Sequence, residues 1–93
     1  MGAVIRWGTH ALERSPIRNI RTRHLQAVID LNDIIETTEG KHSARRVYLG
    51  RFEGRQIHVV LDVDPDETLY TIVTVYEPKK ELWMNGYRER RKS

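Results

Sequence analysis

The stretch Arg45–Val63, RRVYLGRFEGRQIHVVLDV, decides the fold of this 93-residue chain. Two β-rich runs, Arg45–Phe52 and Arg55–Val63, flank the dipeptide Glu53-Gly54. A two-residue connection that ends in glycine between such runs is typical of a β-hairpin with a tight turn. The stretch therefore predicts two antiparallel strands in which Phe52 pairs with Arg55.

This register divides the side chains of the hairpin between two faces. Counting back from the turn places Tyr48 opposite Val59, on the face that we expect to pack under the helices. The opposite face places His58 across from Leu49. The residues expected on that second face are Arg45, Val47, Leu49, Arg51, Gln56, His58, Val60 and Asp62. A shift of one residue would exchange the two faces.

Further strands flank the hairpin on both sides. Residues 69–76 (LYTIVTVY) are rich in β-branched residues and carry apolar residues on both faces, which predicts a central strand. Residues 33–38 (DIIETT) predict a shorter strand or extended segment. The sheet is therefore expected to have three or four antiparallel strands.

Two helices are predicted before the sheet. A short one begins at His10 behind a Thr9 cap and is ended or kinked near Pro16. The second runs over residues 22–31 with Thr22 as its N-cap, and helical spacing places Leu25, Val28 and Ile29 on its buried side. The predicted fold class is α+β, with two N-terminal helices packed on one face of the antiparallel sheet.

Length and composition narrow the class of protein. Ninety-three residues predict a single domain over 1–93, with its core at about 8–78 and a basic C-terminal tail at 79–93. The absence of cysteine excludes disulfide scaffolds, thiolate metal sites and cysteine nucleophiles. Apolar runs are too short to cross a bilayer, and residues 1–8 lack the apolar region of a secretory signal. We therefore expect a cytoplasmic protein that does not contact membranes.

The basic residues are unusually rich in arginine. Twelve of the sixteen are Arg, and the formal net charge is +3. The planar guanidinium binds phosphate through two hydrogen bonds and stacks on bases, so this bias favours RNA or another phosphorylated partner. A surface on which arginines only form ion pairs is the alternative.

His58 is the leading catalytic candidate of the sequence. An imidazole beside Arg51 on an open sheet face suits cleavage of a phosphodiester, because histidine exchanges protons near neutral pH and arginine stabilises the charge that develops on phosphate. The alternative is a half-buried strand histidine that is bonded to a backbone group.

His10 and Arg14 form a second candidate pair, since residues four apart share one side of a helix. They could line a phosphate site, or His10 could be a packing residue beside an exposed arginine. No histidines show the spacing of metal ligands with a carboxylate, so neither a metal nor another cofactor is expected.

Several short motifs, in order, resemble a family of small bacterial proteins known as a domain of unknown function, itself similar to the RelE and BrnT toxins. The matching segments lie within residues 8–78 and are His10-Ala11-x-x-Arg14, Arg18-Asn19-Ile20, Arg46-Val47-Tyr48, Gly54-Arg55-x-Ile57-His58-Val59-Val60 and Ile72-Val73-Thr74-Val75-Tyr76-Glu77-Pro78. Asn19 stands where the family usually has glycine. Pro16 is a sharper departure, which affects the length of the first helix.

The resemblance implies a RelE/barnase-like α+β fold and an endoribonuclease toxin that cleaves mRNA and is neutralised by a cognate antitoxin. The matched positions are His10, Arg14, Arg18, His58 and Tyr76. In the expected metal-free mechanism, His58 is the general base or acid, and His10 or Tyr76 is the second proton-transfer group. Arg14 and Arg51 stabilise the phosphate. The residues expected to hold the RNA backbone are Arg18, Arg45, Arg46, Arg55 and Arg88.

Two other functions are compatible with the same residues. The protein could be a non-enzymatic module that binds RNA or protein, in which the histidines only pack. It could also be a small regulator that acts solely through a partner. An unpaired edge strand would additionally allow a homodimer.

Overall fold

The computed structural model describes residues 3–17 and 19–92. The helices and strands in these ranges are β1 (Val4–Trp7), α1 (Ala11–Arg14), α2 (Thr22–Leu31), β2 (Ile34–Glu39), β3 (Ala44–Phe52), β4 (Arg55–Val63), β5 (Leu69–Tyr76), β6 (Trp83–Met84) and β7 (Glu89–Arg90). Neither helix is long and apolar enough to cross a membrane.

Five strands form one mixed sheet in the order β1-β5-β4-β3-β2. Strands β3 and β4 are antiparallel, with Phe52 opposite Arg55 and Leu49 opposite His58, so the predicted hairpin register is confirmed. Strand β5 is an interior strand, since β4 and β1 flank it. Strands β6 and β7 form a separate two-stranded ribbon.

The predicted fold class is wrong. The described residues are 45% strand and 16% helix, and a five-stranded mixed sheet with two short helices replaces two N-terminal helices on a small RelE/barnase-like antiparallel sheet. The fifth strand, β1, runs parallel to β5 and pairs Val4 with Leu69, 65 residues later. No local sequence pattern signals so distant a pairing.

Helix α1 is a single turn because Pro16 cannot continue it. Its N-cap is His10, one residue after the predicted Thr9 cap. Ser15 fixes the turn to the sheet: its hydroxyl donates to the Ala11 carbonyl at 2.6 Å and accepts from the Val75 amide at 3.0 Å. Helix α1 is therefore held along the edge of β5, beyond the end of β1.

Helix α2 covers one face of the sheet, and its predicted buried residues Leu25, Val28 and Ile29 are confirmed. Its N-cap is Arg21 rather than Thr22, and the Arg21 amide donates to Nδ1 of His24 at 2.9 Å. The helix lies close to β3 because Gly50 has no side chain: a Cβ there would lie 2.5 Å from a methyl carbon of Val28. The main core lies between α2 and the sheet.

Candidate nucleic-acid interface

The face of the sheet opposite α2 carries His58, as the register predicts. The expectation that its ring projects from an uncovered face is wrong, because His58 is 0% exposed. Val47 and Leu49 on the same face are also buried and lie outside the main core. A part of the chain must therefore cover this region.

The cover is the C-terminal strap, which we define as Lys79–Lys92. Trp83 of the strap is 3% exposed, and its ring meets the His58 ring edge-on with centroids 4.3 Å apart. Two bidentate ion pairs hold the strap to the region around β2. Arg88 pairs with Asp33 at 2.6 and 2.9 Å, and Arg90 pairs with Glu36 at 2.7 and 3.1 Å.

These contacts change the expected role of the tail. Trp83 packs against the sheet, and Arg88 and Arg90 of the expected basic tail are paired with carboxylates. Arg88, predicted to bind RNA, has both guanidinium NH groups on Asp33. Arg90 also lies over the Trp83 ring, with its central carbon 4.7 Å from the ring centroid.

Both nitrogens of His58 have partners. Nε2 lies 2.8 Å from the carbonyl oxygen of Tyr87, which can only accept, so Nε2 carries the proton and donates. In a neutral ring Nδ1 is then an acceptor, and the Tyr76 hydroxyl donates to it at 3.2 Å. His58 thus has the arrangement of a structural histidine bonded to a backbone group.

Burial sets the proton affinities of this pair. Desolvation lowers the pKa of His58 from its ordinary value, although the bond to the Tyr87 carbonyl and the Glu36 charge act in the opposite direction. Desolvation likewise raises the pKa of the Tyr76 hydroxyl. Both groups are therefore held neutral, and the His58 ring is not presented to solvent for proton transfer.

A different part of this face remains accessible. His10 and Arg14 of α1 line a cleft of about 240 Å³ together with Arg45 of β3 and Asp62 of β4. We call it the α1 cleft; its lining is completed by Gly8, Thr9, Ala11, Thr71, Ile72 and Val73. His10 is more than half exposed, with 59% of its side-chain surface accessible.

Two side-chain pairs of opposite charge or polarity lie at the α1 cleft, Arg45 with Asp62 and His10 with Glu13. Arg45 makes two bonds to the Asp62 carboxylate, at 2.9 and 3.1 Å, and this pairing raises the pKa of Arg45. Nδ1 of His10 lies 3.5 Å from a carboxylate oxygen of Glu13. The arrangement combines an accessible imidazole, a neighbouring carboxylate and two guanidinium groups, which are suited to proton transfer beside a bound phosphate.

The other arginines predicted as site residues lie outside the α1 cleft where the structure describes them. Arg51 and Arg55 line a separate cleft of about 260 Å³ near the β3–β4 turn, where Arg55 lies 3.6 Å from Glu77. Arg46 donates to Tyr48 and Glu67, and alternation along β3 puts it on the face opposite Arg45. Arg18 lies outside the described residues. The structure thus brings together His10, Arg14 and Arg45, and separates them from His58 and Arg51.

Glu13 and Asp62 were not among the site residues predicted from the sequence. Glu13 follows His10 by three residues, a helical spacing that could have indicated their proximity. Asp62 was placed opposite Arg45 by the hairpin register, so the pair could have been found by comparing charges across the strands. Within the described ranges, no group of three or more His, Asp and Glu side chains could hold a metal ion.

Comparison with known proteins gives one match. The family model described as "Domain of unknown function (DUF4258)" matches residues 7–77. That range includes both helices, strands β2 to β5 and both arginines of the α1 cleft. It contains only Trp7 of β1, and it ends before the strap. No curated protein and no solved structure matches the chain significantly.

Proposed function

The chain belongs to the DUF4258 family of domains of unknown function, and from this starting point we propose that it is a toxin-type endoribonuclease whose site is the α1 cleft. The observation that carries the proposal is the meeting of His10, Arg14 and Arg45 in one accessible cleft. The motif order resembles that of a family that is itself similar to the RelE and BrnT toxins, and this resemblance supports the toxin proposal. The proposed substrate is cellular RNA, which places the activity in the cytoplasm.

The proposed reaction is metal-free transphosphorylation. Glu13 removes the proton of a ribose 2′-hydroxyl, the 2′-oxygen attacks phosphorus, and the bond from phosphorus to the 5′-oxygen breaks. His10 in its protonated form gives its proton to that leaving oxygen. Arg14 and Arg45 stabilise the phosphate as its charge increases. The products are a 2′,3′-cyclic phosphate and a 5′-hydroxyl end, so DNA cannot be a substrate.

The catalytic test uses fluorescently labelled single-stranded RNA in the presence of a chelator. We expect His10→Gln and Glu13→Gln each to reduce cleavage at least about 100-fold, the contribution typical of a general acid or base. His42→Gln, an exposed loop histidine, and Arg23→Gln, an exposed arginine of α2, are matched controls that should cleave at the wild-type rate. Equal cleavage by His10→Gln and wild type would overturn the assignment.

A non-enzymatic RNA-binding module is the second candidate function. The observation that favours it is the burial of His58, whose ring also engages the Tyr76 hydroxyl, so two of the three expected proton-transfer groups are occupied by each other. Salt-dependent RNA binding by wild type, lost in Arg14→Gln, with no cyclic phosphate product, would support this function instead. Absence of both binding and cleavage would exclude both candidates.

The proposal includes a protein partner. An antitoxin that inhibits by occupying the α1 cleft would need acidic side chains, because Arg14 and Arg45 are the two arginines that it must cover. Such a partner should compete with RNA, and Arg14→Glu should weaken its binding while His42→Gln leaves it unchanged. Simultaneous binding of partner and RNA would show that inhibition does not use this cleft.

A further inference from the structure

The junction between the C-terminal strap and the sheet is built around one titratable ring. His58 supplies the hydrogen bond to the Tyr87 carbonyl and the surface against which Trp83 packs. The strap lies beyond the family match, which ends at residue 77. The sheet of the family domain and the strap therefore meet at a buried imidazole.

The strap also contains local backbone strain. Asn85, Gly86 and Tyr87 all have positive φ, at 53°, 68° and 69°. Asparagine and glycine adopt this conformation at low cost, whereas a bulky aromatic residue does so rarely. The carbonyl of this same Tyr87 accepts the bond from His58, so the contact holds the residue in its unfavourable conformation.

The other contacts that hold the strap are two exposed ion pairs and the uncharged packing of Trp83 on the His58 ring. The ion pairs of Arg88 with Asp33 and of Arg90 with Glu36 lie at the surface, where side-chain ion pairs contribute little. Residues 77–78 before the strap, and its first two residues, lie in neither a helix nor a strand. The strap can therefore separate from the sheet without disrupting a strand pair of the main sheet.

We propose that the C-terminal strap is a proton-sensitive cover, which opens as a unit, apart from global unfolding, when Nδ1 of His58 takes up a proton. In the closed state the imidazolium would be out of water. The groups that face the ring are the Tyr76 hydroxyl from β5, the Glu36 carboxylate from β2, and the Tyr87 carbonyl, the Trp83 ring and the Arg90 guanidinium from the strap.

The charges around the ring favour opening once the proton is bound. In the closed state Arg90 neutralises Glu36 and disfavours a second cation beside it. Opening removes Arg90 with the strap and leaves the Glu36 carboxylate as a counter-ion for the imidazolium. Opening also admits water to the ring, which removes the desolvation that lowers the pKa of His58 in the closed state.

Amide hydrogen exchange of the full chain, measured by NMR between pH 5 and 7.5 and corrected for intrinsic rates, tests the proposal. The strap reporters are the amides of Arg88 and Arg91, which donate to the Met84 and Leu82 carbonyls within the strap. A two-stranded ribbon this short is not stable away from the sheet, so these amides lose protection when the strap opens. Below about pH 6.5 the strap takes up one proton when it opens. The protection factor of these amides should therefore fall by a factor approaching ten for each unit by which the pH is lowered. Protection of central amides such as that of Val59 should change less.

Two variants separate His58 from other titrating groups. His58→Gln keeps a donor toward Tyr87 without a proton-accepting nitrogen, so strap protection should lose its pH dependence. His24→Gln, a half-buried histidine on the α2 side, should keep it. The proposal is overturned if strap protection is independent of pH in wild type, if its pH dependence persists in His58→Gln, or if strap and Val59 amides lose protection together.

Discussion

The Nε2 proton of His58 is bonded to the carbonyl oxygen of Tyr87, 29 residues later, at 2.8 Å. This bond joins the middle of the sheet to the end of the chain. Both nitrogens of His58 are hydrogen-bonded within the fold, so the ring is not available for the catalytic role that its sequence pattern predicted.

Removal of the His58 ring should destabilise the protein strongly. His58→Ala leaves a cavity beneath Trp83 and deprives both Tyr76 and the Tyr87 carbonyl of a partner, so we expect the free energy of unfolding to fall by about 2–4 kcal/mol. Urea denaturation followed by far-UV circular dichroism measures the loss. His42→Ala in an exposed loop should stay within about 0.5 kcal/mol of wild type. A comparable result for both variants would contradict the structural role.

The stability of the whole fold should depend on pH through the same ring. The pKa of His58 is lowered in the folded state, so below about pH 6.5 the unfolded chain binds a proton that the folded chain does not. The free energy of unfolding should therefore fall with decreasing pH, at a limiting rate of about 1.4 kcal/mol per pH unit, until the folded-state pKa is reached. Subtracting the profile of His58→Gln isolates this contribution, and identical profiles would contradict it.

Gly50 should not tolerate a side chain. A Cβ at this position would lie 2.5 and 2.9 Å from the two methyl carbons of Val28, so Gly50→Ala should lower the free energy of unfolding by about 1–3 kcal/mol. Val28→Ala removes those methyl groups and should make the added Cβ less costly. A double-mutant cycle measured by chemical denaturation tests the coupling, and strict additivity would show that the contact is not responsible.

One substitution in the β3–β4 turn should increase the stability of the fold. Glu53 has a φ of 52° and precedes Gly54 with a φ of 76°, the backbone of a turn that favours Asn-Gly. Glu53→Asn should raise the free energy of unfolding by about 0.4–1 kcal/mol, because asparagine tolerates this conformation better. Thermal denaturation would report the gain. Glu81→Asn, at an exposed position without positive φ, should not produce it.

Arg14 should contribute one phosphate contact to RNA binding. Arg14→Gln should reduce the slope of log binding constant against log salt concentration by about 0.7, the value expected for each phosphate contact with a single strand. Fluorescence anisotropy at several salt concentrations gives the slope, with His10→Gln as the background so that RNA stays intact. An equal reduction by Arg23→Gln would indicate a diffuse charge effect rather than a defined contact.

The sequence predicted the local elements well and the distant contacts poorly. The β3–β4 register followed from Glu53-Gly54, and the buried side of α2 followed from the spacing of Leu25, Val28 and Ile29. The pairing of Val4 with Leu69 could not be obtained this way, because a parallel partner is not determined by a neighbouring turn.

In the candidate site, too, local features were predictable from the sequence and distant contacts were not. The register correctly put His58 on the face away from α2, but exposure depends on what covers that face. The cover requires Arg88 to meet Asp33 and Arg90 to meet Glu36 across more than fifty residues of chain. His10, Arg14 and Arg45 meet because Ser15 fixes α1 to the edge of β5, and that bond was not evident from the sequence.

The pairing of Val4 with Leu69 also imposes an order on biosynthesis. A ribosome must add 65 residues after Val4 before β1 meets its partner strand, so β1 is made before the hairpin and pairs only after it. A product truncated before Leu69 would retain α2 and the hairpin but lack β5, and β1 would have no partner strand. The backbone N–H and C=O groups on one side of β4 would then be unpaired, and such an open strand edge promotes aggregation of incomplete chains.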